Sequence, residues 1–245
     1  MDGLADERFY RSWGENTGSD VTFQVRVETT DLLIRAERDL ADVALAAVEA
    51  TRGLLTDHIA THPEFATALS PLELPVGEID PLVASMYRAA QLAGVGPMAA
   101  VAGTVAQAVA VALGPHTRRV MIENGGDLYI DADREVTIAI YAGQSKLSGK
   151  IGLRLEAAEL PLAVCTSSGL VGPSLSYGQA QAATVIAADA ALADAAATAL
   201  GNRISSSEEI KPALEWAVSI EGVIGALAIA QDNLGIMGDV KLVQL

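Results

Sequence analysis

The sequence predicts an α+β fold with mostly antiparallel sheet and packed helices. Helical patterns dominate the first half of the chain and short strands the second, without the regular strand–helix alternation of a parallel sheet. Residues 21–28, VTFQVRVE, alternate apolar and polar, as a strand does when one face is buried. The hydrophobic fraction of 51% comes with only 4% aromatic residues, so Ala, Val and Leu must fill the interior. A chain of 245 residues is long enough for a sizeable core, and one domain over 1–245 is expected.

The elements follow in order. Thr30-Asp31 reads as a tight connection from the first strand to a second over 32–36. An amphipathic helix over 38–61 places Leu40, Val43, Ala44, Ala47, Val48 and Leu55 on its apolar face. His62-Pro63 ends it, because proline disfavours helix at the residue before it. A linker over 64–80 carries Pro71 and Pro75, and Pro81 suits the first turn of a helix reaching about Leu92. Gly94-Val95-Gly96-Pro97 turns into a helix over about 97–113, which Gly114-Pro115 stops. Strands are predicted over 118–123, 127–131, 135–141, 150–156 and 161–165, then an alanine-rich helix over about 187–200 that ends at Gly201-Asn202. Residues 215–245 read as short strands separated by Glu221-Gly222, Gln231-Asp232-Asn233 and Gly238-Asp239.

The formal net charge of −15 disfavours nucleic acid and anionic membrane, since both are polyanions. A small-molecule ligand is expected instead. One that carries phosphate would need a helix N-terminus, a basic side chain or a metal to offset its charge. The single cysteine, Cys165, excludes an intrachain disulfide and argues against a cysteine-based zinc site. The first eight residues show no apolar signal region. The apolar run Gly94–Leu113 is interrupted by Gly96, Pro97, Gly103, Thr104 and Gln107, so it reads as a buried helix and not as a membrane span. A soluble, cytoplasmic protein is expected.

Within the alanine-rich helix, Asp194 and Thr198 stand four residues apart and project from one face. A carboxylate and a hydroxyl so placed can hold a hard cation through oxygen, although threonine also bonds back to its own helix. Asp189 is placed to cap that helix. Two glycine-bearing segments follow apolar runs: Asn124-Gly125-Gly126-Asp127 and Thr166-Ser167-Ser168-Gly169. Each suits a turn where backbone approaches a ligand, and each equally suits an ordinary hairpin or loop. His58 and His62 share the end of a helix at metal-compatible spacing, but no HExxH-type glutamate accompanies them, and the structural reading is preferred. Cys165 lacks a basic neighbour in sequence and reads as a small core residue. Arg8 and Arg11 read as part of a solvated arm. The chain contains no P-loop, no GxGxxG after a strand, no Gly-x-Ser-x-Gly elbow and no paired-cysteine motif.

The order of the pieces carries a resemblance. Asn124-Gly125-Gly126-Asp127, then Thr166-Ser167-Ser168-Gly169, then Thr184-Val185-Ile186-Ala187, then Ala193-Asp194-Ala195-Ala196-Ala197-Thr198-Ala199 resembles the ApbE superfamily of FAD:protein FMN transferases. Tyr10-Arg11, Thr30-Asp31-Leu32, the segment Gly96–Gly103 and Leu200-Gly201-Asn202 extend the likeness along nearly the whole chain to an uncharacterised ApbE-like branch. The resemblance implies an ApbE-like fold, with Asp194 and Thr198 where those enzymes place Mg²⁺ ligands. It places Gly125, Gly126 and Asp127 at a turn near the flavin, and Thr166, Ser167 and Gly169 at the hydroxyl turn, with Ser168 an extra residue.

Two departures are plain. The lysine-glycine pair that precedes the corresponding helix in the transferases is replaced here by Gly96-Pro97-Met98. Their His-x-x-Asp-Pro-x-Thr-Gly segment corresponds to Ser174-Leu175-Ser176-Tyr177-Gly178, which has neither histidine nor Asp-Pro. The resemblance therefore implies Mg²⁺ and counts against FAD binding and FMN transfer. The expected function is a small-molecule enzyme whose cation-assisted pocket takes a phosphate- or nucleotide-bearing ligand. The alternative is a non-catalytic binding or sensor protein on the same fold.

Overall fold

The computed structural model describes residues 20–168 and 178–245. Strands β1 (Val21–Val27) and β2 (Thr30–Ala36) form an antiparallel hairpin in which Val27 faces Thr30. The turn is therefore Glu28-Thr29, with Glu28 at φ 53°, and not Thr30-Asp31 as expected. Thr30 is buried inside the second strand, where a β-branched side chain packs well, and its hydroxyl accepts a 2.9 Å hydrogen bond from Arg52.

The helices of the first half start where their caps place them. Helix α1 (Ala41–Thr61) begins three residues later than expected, after Asp39, whose carboxylate accepts from the Ala41 amide at 2.9 Å. In α2 (Pro81–Ala93), Asp80 accepts from the Leu82 amide, Pro81 fills the first position, and Gly94 closes the helix at φ 74°. The predicted 97–113 helix divides into a 3₁₀ turn, Pro97–Ala100, and helix α3, Val101–Leu113. With the turn that follows it, the stretch Pro97–His116 is apolar and long enough to cross a membrane by length and composition. In this fold its Val105, Ala106, Val109, Ala110 and Leu113 are buried in the core.

The second half supplies β3 (Val120–Asn124), β4 (Asp127–Asp131), β5 (Val136–Ala139), β6 (Ile151–Leu155), β7 (Leu162–Ser167), β8 (Ala182–Ala187), α4 (Ala190–Asn202), α5 (Ile210–Ser219), β9 (Val223–Ala230), β10 (Asn233–Gly238) and β11 (Leu242–Gln244). Eight strands form one antiparallel sheet in the order β1-β2-β3-β4-β7-β8-β9-β10. One face carries Ile34, Ile122, Tyr129, Cys165 and Val185 into a core shared with the helices. The other face carries Ile130, Val164, Ile186 and Ile229 against the small sheet β11-β6-β5.

Burial on both faces explains one difference from the sequence reading. In β8 all six residues, AATVIA, are buried, so the strand shows no alternation and runs visually into the alanine-rich helix. The helix begins at Ala190, not 187, because Asp189 caps it by accepting from Leu192 at 3.0 Å. Residues 215–219 belong to helix α5, not to a strand. The helix continues from a 3₁₀ turn, Ser207–Glu209, whose capping box, Ser206 with Glu209, lies upstream of the stretch read as strands.

Candidate functional site

Asn124 and Asp127 face each other across a two-residue hairpin, with Gly125 at φ 70° and Gly126 at φ 110°. Two consecutive positive φ values are what a type I′ turn requires, so the glycines are needed by the hairpin itself. The turn lies beside β7: a side chain on Gly126 would come within 3.4 Å of the Thr166 carbonyl oxygen. Glu123 closes the turn by accepting from the Gly126 amide at 2.9 Å.

The second segment is mostly not a turn. Thr166 and Ser167 are the last residues of β7, Ser168 follows it, and Gly169 lies outside the described residues. Alternation along the strand divides the two hydroxyls. Thr166 shares the face of Val164, and its hydroxyl lies 2.9 Å from that of the fully buried Thr184. Ser167 shares the helix-side face with Cys165. The structure therefore gathers Asn124, Asp127, Ser167 and Asp194 on the helix side of the sheet and turns the Thr166 hydroxyl away from them.

Asp194 is central to this arrangement. Its carboxylate, buried between α4 and α3, accepts from the Gly103 amide at 2.9 Å and from the Ala102 amide. These are unpaired donors in the first turn of α3, so Asp194 caps that helix from another part of the chain. Asn124 holds the same turn by donating to the Ala102 carbonyl at 3.0 Å. Close approach is possible because residue 103 is glycine. A Cβ there would lie 2.3 Å from the Ala190 carbonyl oxygen and 3.0 Å from Cβ of Asp194. Thr198, half-buried, stands one helical turn beyond Asp194 on α4.

Burial and mutual repulsion disfavour charge on the two aspartates. Burial raises the pKa of Asp194 to about 7, although the Gly103 and Ala102 amides work in the opposite direction. Asp127 is held well above the usual carboxylate range, by burial first and by the Asp194 charge second. Asp127 accepts from the Thr166 amide at 3.2 Å and is hydrogen-bonded to the Cys165 thiol. Burial and the two aspartates push that thiol up in turn, so Cys165 stays protonated and packs as a core residue. Among the described residues, neither aspartate forms an ion pair with a basic side chain. Carboxylates are hard oxygen donors, the chemistry that suits Mg²⁺, and no group of three acidic, histidine or cysteine side chains that could hold a metal occurs among the described residues.

The histidines lie elsewhere, at the end of α1. His58 stacks on His62 with ring centroids 4.5 Å apart, packs edge-on to Phe65, and bonds Tyr87 Oη through Nε2 at 2.9 Å. Burial and His62 lower the pKa of His58. The sequence reading had no role for Gln107, whose side chain reaches the Ala190 amide at 2.7 Å, or for the Ala102 and Gly103 amides. The available signal was Gly103 itself, since glycine inside a helix is costly unless something packs against it.

A family model described as "AbpE bacteria" matches residues 12–235. A UPF0280 protein of Methanocella arvoryzae is 39% identical over 218 residues, covering 89% of this chain and 88% of the relative. The UPF0280 protein MK0206 of Methanopyrus kandleri is 41% identical over 225 residues, covering 89% and 90%. Among solved structures, the flavinyl transferase ApbE of Pseudomonas stutzeri aligns with a TM-score of 0.59 at 15% identity, over 94% of this chain and 96% of that one. The flavin transferase ApbE of Vibrio cholerae aligns with a TM-score of 0.58 at 12% identity, over 89% and 96%. These structures share the fold. By the family match and its archaeal relatives, the chain belongs to the UPF0280 group of ApbE-like proteins.

Proposed function

We propose that this protein is a small-molecule enzyme with a divalent-cation-assisted pocket for a phosphate- or nucleotide-bearing ligand. The observation that carries the reading is the meeting of Asp127 and Asp194, two buried carboxylates that form no ion pair with a basic side chain among the described residues. Asp194 and Thr198 would hold Mg²⁺ through oxygen. When bound, the cation would supply positive charge against ligand phosphate. Asp127 orients the strand end by holding the Thr166 amide, and Ser167 offers a hydroxyl on the same side. Asn124 and Asp194 together fix the first turn of α3.

FMN transfer from FAD to a protein is not part of this reading. Where the transferases carry lysine-glycine, this chain has Gly96-Pro97-Met98. Gly96 packs so tightly on the 64–68 turn that a Cβ would lie 1.7 Å from the Ala68 carbonyl oxygen. The same replacement supports the second reading, a binding or sensor protein that keeps the pocket without turnover. Titration with ADP, with and without Mg²⁺, tests the ligand class, and ³¹P NMR of the same mixtures separates turnover from binding. Mg²⁺-dependent ADP affinity is expected. Affinity that ignores Mg²⁺ would sink the proposal.

A further inference from the structure

We propose that Gln107 is a positioning residue for the cation site, setting the rotation of α4 so that Asp194 and Thr198 face the cation together. The inference rests on the cation-binding reading above. Helices α3 and α4 cap each other on either side of the close approach of Gly103 to the Ala190 carbonyl. From α4, Asp194 takes the Gly103 amide at 2.9 Å. From α3, one turn beyond Gly103, Gln107 Oε1 takes the Ala190 amide at 2.7 Å. Ala190 is the first residue of α4 and lies one turn before Asp194. The two bonds flank the point where the Ala190 carbonyl meets Gly103.

The two bonds are not equivalent once a cation is present. The Asp194 carboxylate would then divide its lone pairs between the α3 amides and the metal. Gln107 holds the same helix without using any proposed ligand atom. Rotation is the sensitive coordinate. A side-chain oxygen sits roughly 5 Å from the helix axis, so turning α4 by about 10° moves it by about 1 Å. Mg²⁺ demands near-ideal octahedral geometry at about 2.1 Å and tolerates little of that. The cap from Asp189 to Leu192 lies within α4 itself and cannot fix the helix against α3.

The test is calorimetric titration of Mg²⁺ into the full chain and three variants, each first checked for a cooperative melt. Gln107→Met keeps the length and removes the acceptor. Gln107→Asn keeps the amide but withdraws it by one methylene, and serves if the Met variant does not fold. Gln107→Glu keeps an acceptor at the start of α4, where negative charge is favoured. Loss of an outer partner of a metal ligand typically costs 10–100-fold in affinity, so about tenfold weaker binding is expected for Met and Asn. Gln107→Glu should return affinity toward the native value, which general damage to the fold would not do. Native affinity in the Met and Asn variants overturns the inference alone, as does a Glu variant as weak as Met. If the native chain binds no Mg²⁺, the underlying reading falls and takes this one with it.

Discussion

Asp194 is subject to opposed forces. Two amides favour its charge, and burial favours its proton. Burial prevails, with a pKa of about 7 against the ordinary 3.8. Over that interval the folded chain holds a proton that the unfolded chain has released. Stability from this group is therefore full below about pH 4 and is lost as pH rises to about 7. Asp127 shifts in the same direction. Urea unfolding in EDTA should show native stability falling between pH 5 and pH 7.5 relative to Asp194→Asn, by on the order of a few kcal/mol. Parallel profiles for the two proteins would show that this carboxylate is not strained. The His58–His62 stack belongs to a different cluster, with Phe65 and Tyr87. Replacing both histidines with Gln should lower the melting temperature and leave Mg²⁺ affinity within error. A large loss of affinity would place them in the site.

The α3–α4 contact is where elements decide function. Gly103→Ala would normally favour a helix by about 1 kcal/mol. Here the added methyl meets the Ala190 carbonyl oxygen at 2.3 Å, so α4 must shift. We expect a net destabilisation of about 1–3 kcal/mol, together with weaker Mg²⁺ binding. A stabilised variant with native affinity would mean that the two helices can separate without consequence.

The capped elements were legible from sequence. Asp80-Pro81 and Gly94 bound α2, and Asp189 caps α4. Two elements were not: β8, buried on both faces, has no periodicity to read, and α5 is amphipathic but only ten residues long, so residues 215–219 taken without its first turn read as strand. The Gly125-Gly126 turn was legible as a hairpin, and its neighbourhood was not. Strand register alone sends the Thr166 hydroxyl to Thr184 and leaves Ser167 beside Cys165, and no local pattern encodes register between distant strands. The Asp194–Gly103 and Gln107–Ala190 bonds join residues 91 and 83 positions apart, beyond the reach of any spacing argument.

At the scale of the whole molecule, an eight-stranded sheet carries helices on one face and a small sheet on the other. Its helix side holds the buried aspartates of a chain whose formal net charge is −15. Stabilising a departing phosphate would take positive charge that Met98 cannot supply. Incubation with FAD, Mg²⁺ and a flavin-accepting protein domain should therefore give no fluorescent band on a denaturing gel. A band that vanishes in Asp194→Ala would make the protein a transferase with an altered pocket.

The central claim, that Asp194 and Thr198 hold a divalent cation beside Asp127, is tested most directly by calorimetric titration of Mg²⁺ into the native chain and into Asp194→Asn. The asparagine keeps an acceptor for the Gly103 amide and removes the charge. The account predicts one Mg²⁺ per native chain and at least tenfold weaker binding by a variant that melts cooperatively, since a ligand should matter no less than its outer partners. Equal binding by both proteins, or none by the native chain, would contradict it.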